Sequence, residues 1–187
     1  MKSTLAISAI IFTAGFVTLP LVWGDSDFRW GEIEEYKHKL NDVKVTSNPL
    51  YQEECGSCHM AYPPGLLPAR SWDKMMHELD DHFGDNAELD EETHRTITKF
   101  LLVNSADKSE YRRSKKFSRS INANEVPTRI SETPYFKHEH DEIPPRMVEG
   151  NPKVNSFSQC DACHSKAEQG SFNEHDVRIP GYGRWDD

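Results

Sequence analysis

The chain has little with which to build a large core. Hydrophobic residues make up 36% of its 187 positions, and the share falls once the apolar run Leu5–Trp23 is set aside. Eleven prolines and ten glycines cluster in connecting segments, so long regular structure is excluded over much of the sequence. Positive charge is also short: the net charge is −9, which argues against nucleic acid as a partner. No catalytic constellation stands out beyond the motifs below, and the length leaves no room for a separate output domain. Cysteine is confined to two short runs. A core this thin needs help from something bound.

The two runs are Cys55-Gly56-Ser57-Cys58-His59 and Cys160-Asp161-Ala162-Cys163-His164, and they use all four cysteines. Each is C-x-x-C-H, the pattern of covalent haem attachment. Two thiols on one helical turn each add to a vinyl group of the porphyrin, and the histidine that follows turns its imidazole to the iron as the proximal ligand. Paired C-x-x-C runs also occur in zinc sites and disulfide frameworks, but neither needs a histidine directly after both pairs. The sequence therefore predicts two covalently bound haem c groups. Their porphyrins would supply the missing apolar area and make folding depend on the cofactor.

Lys2, the uncharged run Leu5–Trp23 and Gly24-Asp25 describe a secretory signal cleaved after Gly24. A retained membrane anchor is the other reading, since about 20 apolar residues span a bilayer. Pro20 and the single flanking charge favour removal, with no stable membrane insertion afterwards. Attachment of haem c takes place on the far side of the bacterial inner membrane, so the expected compartment is the periplasm. Loss of Lys2 leaves the mature chain more acidic still.

The expected organisation is a signal peptide over 1–24, an N-terminal haem domain over 25–107, and a basic connector with a C-terminal haem domain over 108–187. The fold class is mainly α with much irregular structure. Tyr62–Pro68 cannot be α-helix and must wrap as a loop. Ser71 is placed to cap a helix carrying Trp72, Met75, Met76, Leu79 and Phe83 on one stripe, with Gly84 to end it. Asp90 opens another, with Ile97, Phe100 and Leu101 as its apolar face. Between Lys108 and Arg119 six basic residues face one Glu, which reads as a solvated connector or as a docking surface for an acidic partner. Prolines at 127, 134, 144, 145 and 152 then predict loops and turns rather than helices.

The sixth iron position has as candidates the seven histidines outside the two C-x-x-C-H runs and the methionines Met60, Met75, Met76 and Met147. On a continuous helix from Trp72, His82 falls about 80° from the apolar stripe, at its border, and His77 about 140° away, on the solvated side. Met75 and Met76 lie on the stripe itself. His94 shares the apolar side of its own helix with Ile97 and Leu101 and rivals His82. In Tyr135-Phe136-Lys137-His138-Glu139-His140 an extended chain would put His138 and His140 on one face, so the pattern does not separate them.

The runs Cys55–Trp72 and Asp81-His82-Phe83-Gly84-Asp85-Asn86-Ala87 closely resemble the small bacterial dihaem cytochromes c abbreviated DHC. Arg129–Phe136 followed by His140, and Cys160–Phe172, resemble the same family; the first mature residues, Asp25 to about Ser47, do not. The resemblance implies an N-terminal domain like a class I cytochrome c, an irregular C-terminal domain, and two histidine ligands on each iron. By motif it assigns the distal ligands to His82 and His140, and the haem-binding set becomes Cys55, Cys58, His59, His82, Cys160, Cys163, His164 and His140. It further implies an electron carrier rather than an enzyme, fed by a membrane-bound cytochrome b and reducing a small oxygen-binding c-type haem protein. A dihaem peroxidase or reductase with one open haem is the alternative, and it would need a labile sixth ligand and an acid–base group above the iron.

Overall fold

A computed structural model describes residues 42–45 and 47–185. The signal segment, the stretch 25–41 and His38 lie outside the described residues. Six α-helices appear among the described residues: α1 Pro49–Cys55, α2 Ala69–His77, α3 Glu91–Val103, α4 Arg112–Ser120, α5 Pro134–His140 and α6 Cys160–Cys163. Short 3₁₀ turns join them, and a hairpin of two-residue strands, β1 Arg178–Ile179 and β2 Gly183–Arg184, lies near the C-terminus. The fold is mainly α, with much of the chain in turns and loops.

Local chemistry sets the helix starts. Asn48 caps α1 by accepting from the Tyr51 N–H, with Pro49 in the first turn where its missing N–H costs nothing. Asp90 caps α3 by accepting from the Glu92 and Thr93 N–H groups, and Ile97 and Leu101 are buried, as the sequence predicts. Helix α2 differs from expectation at both ends. Ser71 is its third residue and fully buried, while its first free N–H, from Ala69, donates to the Asp107 carboxylate across 2.8 Å. The helix stops at His77, well before Gly84. Glu78, Asp80 and Asp81 would otherwise load carboxylates onto the negative end of the helix dipole. Leu79–Asp81 forms a 3₁₀ turn instead, so His82 sits in a tight turn and not on a helix.

The segment 120–159 also departs from expectation. Pro134 begins α5 rather than preventing it: Thr133 caps the helix through its hydroxyl, and proline occupies the first turn. His138 and His140 therefore point to different sides of a helix instead of sharing the face of a strand. Nor is the basic stretch a free connector. Its residues 112–120 form α4, which buries Ser114 and Phe117 against the Pro64–Leu66 turn and α5. The approach is so close that a Cβ on Gly65 would lie 2.5 Å from the Ser114 hydroxyl.

Two apolar clusters result. Tyr51, Leu67, Trp72, Met76, Ile97 and Leu101 form one, between α1, α2 and α3. Val43, Leu66, Ala106, Phe117, Tyr135 and Phe136 form the other, joining residues from both sides of position 107. Tyr62 and Ile130 pack against both clusters. The proline-rich loop is pinned between them by the Trp72 indole, which donates to the Pro64 carbonyl at 2.8 Å, and by the Tyr62 hydroxyl, which donates to the Ser158 carbonyl at 2.7 Å.

Candidate haem-binding sites

Cys55 is the last residue of α1, and the turn that follows carries Cys58 and His59. The His59 Nδ1 donates to the Met60 carbonyl at 2.8 Å. A carbonyl only accepts, so the proton is on Nδ1 and the Nε2 lone pair is free for iron. Tyr62 stacks on this ring at 4.8 Å. Opposite it stands His82, the two ring centres 6.2 Å apart and their planes 23° from parallel. The pair lies in a cavity of about 710 Å³ whose walls include Cys55, Cys58, Trp72, Met75, Met76 and Leu79.

The second site is built from α5 and α6. His140 ends α5 and donates from Nδ1 to the Phe136 carbonyl at 2.8 Å, one turn back. Its ring lies flat on Phe136, with centres 3.9 Å apart, and Phe157 meets it edge-on. His164 directly follows α6, and Phe172 packs edge-on against its ring. The His140 and His164 rings are again 6.2 Å apart, now 71° from parallel. Cys160 and Cys163 line the surrounding cavity of about 300 Å³.

These separations test the fit of haem iron. Two metal–imidazole bonds of about 2 Å, with about 1 Å from each nitrogen to its ring centre, span about 6 Å. Both pairs meet that requirement, each beside its own cysteine pair and inside a largely apolar cavity. The residues fit haem. Burial and the neighbouring His140 hold the His164 imidazole down at about 4, and burial likewise lowers His140 and His82. All three are thus neutral near pH 7, the form that ligates metal. Burial pushes the Cys55 thiol up to about 11 and Cys160 up to about 12. Among the described residues no three or more Cys, His, Asp or Glu converge on one point, as a zinc cluster would require.

The other histidines are spent elsewhere. His94 reaches the Met76 carbonyl through Nε2 at 2.8 Å and so braces α3 against α2. His77 is exposed, bonded to the Asp73 carbonyl and set edge-on to His94. His138 is exposed at the rim of the smaller cavity, and His175 lines a polar cleft next to it. Met75 and Met76 are cavity wall, Met60 is buried and Met147 is half-buried.

Three features were not read from sequence. Ile130, Phe136, Phe157 and Cys160 line both cavities, so a cysteine of the second C-x-x-C-H run stands in the wall of the first cavity. Phe136 had a signal, since it lies one helical turn before His140, but only once α5 is recognised as a helix. Arg113, inside the basic stretch, turns inward with 21% of its side chain exposed. It donates to the Tyr135 hydroxyl and the Phe172 carbonyl and pairs with Asp42 and Glu139 at 3.6 and 3.5 Å. Finally, the Arg129 guanidinium covers the Phe83 ring at 3.9 Å. Nothing local in the sequence marks that contact.

The dihaem cytochrome c family matches the chain over residues 51–172. Among solved structures, the dihaem cytochrome c of Shewanella baltica OS155 is similar at 45% identity, covering 76% of this chain and 100% of its own, with a TM-score of 0.63. A dihaem cytochrome c from Rhodobacter sphaeroides is similar at 47% identity, covering 68% of this chain and 98% of its own, with a TM-score of 0.62. A second structure of the Rhodobacter sphaeroides protein gives 45% identity and a TM-score of 0.57, over 69% of this chain and all of its own. No curated protein sequence matches.

Proposed function

The chain belongs to the dihaem cytochrome c family and so carries two covalently bound haem c groups, and from that premise we propose that it is a bis-histidine electron carrier. The observation that carries this reading is the equal 6.2 Å separation of His59 from His82 and of His140 from His164. When bound, each iron supplies a one-electron ferric/ferrous couple. His59 with His82, and His140 with His164, would each hold one iron, leaving no position open for a substrate and needing little movement when its charge changes. Phe136 and Phe157 pack on the His140 ring and form part of the wall that the two cavities share. An electron entering at one site therefore has a short path to the other. Two imidazole ligands favour a lower potential than an imidazole and a thioether.

The chain is exported under the direction of residues 1–24 and acts in the periplasm, taking electrons from a membrane cytochrome b and reducing a small c-type haem protein that binds oxygen. Among the described residues no helix is long and apolar enough to cross a membrane. The exposed side of α4, carrying Arg112, Lys116 and Arg119, offers a positive docking face to an acidic partner, while Arg113 belongs to the interior. Stopped-flow mixing of the reduced protein with an exported, open-iron c-type haem protein tests the reading. Rapid oxidation without peroxide turnover is expected; peroxidase turnover by the unmodified protein would instead point to the open-haem enzyme.

A further inference from the structure

The two distal rings are held in unlike ways. His140 is fixed on a helix, bonded through Nδ1 and packed between Phe136 and Phe157. The His82 ring makes no hydrogen bond to a described residue. It hangs from a turn closed by the His82 N–H on the Asp85 carbonyl at 2.7 Å. The next residue, Phe83, has φ +60, a left-handed conformation that costs a residue with a side chain about 1 kcal/mol. Phe83 is 46% exposed and lines the larger cavity. Arg129, paired with Glu132 at 3.6 Å, sits over that ring at 3.9 Å and ties the turn to the segment Thr128–Ser131, which also lines the cavity.

We propose that the site built on His59 and His82 is a latent binding site for small strong-field iron ligands such as cyanide and carbon monoxide, which enter by displacing His82, and that the Phe83–Arg129 contact is the latch that slows this displacement. The inference rests on the bis-histidine reading above. In the exchange the bond from iron to the His82 Nε2 breaks and the imidazole keeps its electron pair. The incoming ligand donates a pair of its own, so no oxidation or reduction occurs. Arg129 and Phe83 are positioning residues: they act on the ligand through the turn. The smaller cavity has no counterpart, because its distal ring is locked by Phe136.

The test uses the ferric holoprotein, cyanide and EPR. Imidazole planes close to parallel and planes close to perpendicular give distinguishable low-spin signals, so the two sites are read separately. The spectrum before addition tests the ligation reading, and the change on addition tests this one. Cyanide should remove the near-parallel signal first and leave the near-perpendicular one. Phe83→Ala keeps the Arg129 charge and should raise the rate roughly three- to tenfold. Carbon monoxide binding to the reduced Arg129→Gln protein should rise similarly; the ligand is neutral, so the lost charge is not the cause. Loss of the near-perpendicular signal first, equal loss of both, no binding at either, or parental rates in either variant would overturn the proposal.

Discussion

The rings of His140 and His164 face each other across 6.2 Å and are turned 71° apart. His59 and His82 keep the same separation, but with planes only 23° apart. The equal spacing is the one a pair of imidazole–iron bonds would require; the twist follows from what holds each ring. The Phe136 stack and the bond to its carbonyl orient His140, whereas Tyr62 and the Met60 carbonyl orient His59.

This difference is visible in spectra. Near-parallel imidazoles split the iron d-orbitals that lie along them, and near-perpendicular ones leave them almost degenerate. The ferric protein should show two low-spin EPR signals of equal intensity, one rhombic and one strongly anisotropic. Two identical rhombic signals would mean that the His140–His164 twist is not kept around iron.

Removing a distal ring should affect one signal at a time. His82→Ala should convert the rhombic signal to high-spin and His140→Ala the anisotropic one, each leaving the other intact. His77→Ala and His138→Ala should leave both unchanged, since those rings are exposed. His94→Ala should also keep both signals and only loosen α3 against α2, by about 1 kcal/mol for the lost bond to Met76. A high-spin change in His94→Ala or His138→Ala would move the ligand assignment.

Arg113→Met should destabilise the holoprotein by roughly 1–3 kcal/mol, because Asp42 and Glu139 lose their cation while partly buried. Denaturant unfolding followed by haem absorbance measures it. The double variant with Glu139→Gln should recover part of the loss. A variant as stable as the parent would return Arg113 to the solvated charges.

Reversing Arg112, Lys116 and Arg119 to Glu should slow transfer to an acidic acceptor and weaken its salt dependence, with both haem spectra unchanged. A rate indifferent to salt and to reversal would remove α4 as a docking face and leave the carrier reading standing.

Much of this was legible where the signal is local. Asp90 before an apolar stripe gives α3, and each C-x-x-C-H run marks a segment that lines a histidine-paired cavity. Local rules erred where tertiary partners intervene. Asp107, far along the chain, caps α2 in place of Ser71. Three carboxylates end that helix early and swing His82 into a turn. Pro134 reads as a breaker, yet with Thr133 before it the same residue is a helix start. The histidine geometry, once α5 is a helix, follows from the His140–Phe136 spacing. The Phe83–Arg129 contact and the wall shared by the two cavities join distant segments, and no periodicity announces them.

The central claim is two irons, each held by two imidazoles in both oxidation states. Potentiometric titration with absorbance spectra, on the protein with both haems attached, tests it most directly. The account predicts two one-electron steps, both at lower potential than in cytochromes with a methionine ligand, with low-spin spectra throughout. Uptake of only one electron per protein, or a high-spin band at either iron in either state, would contradict it.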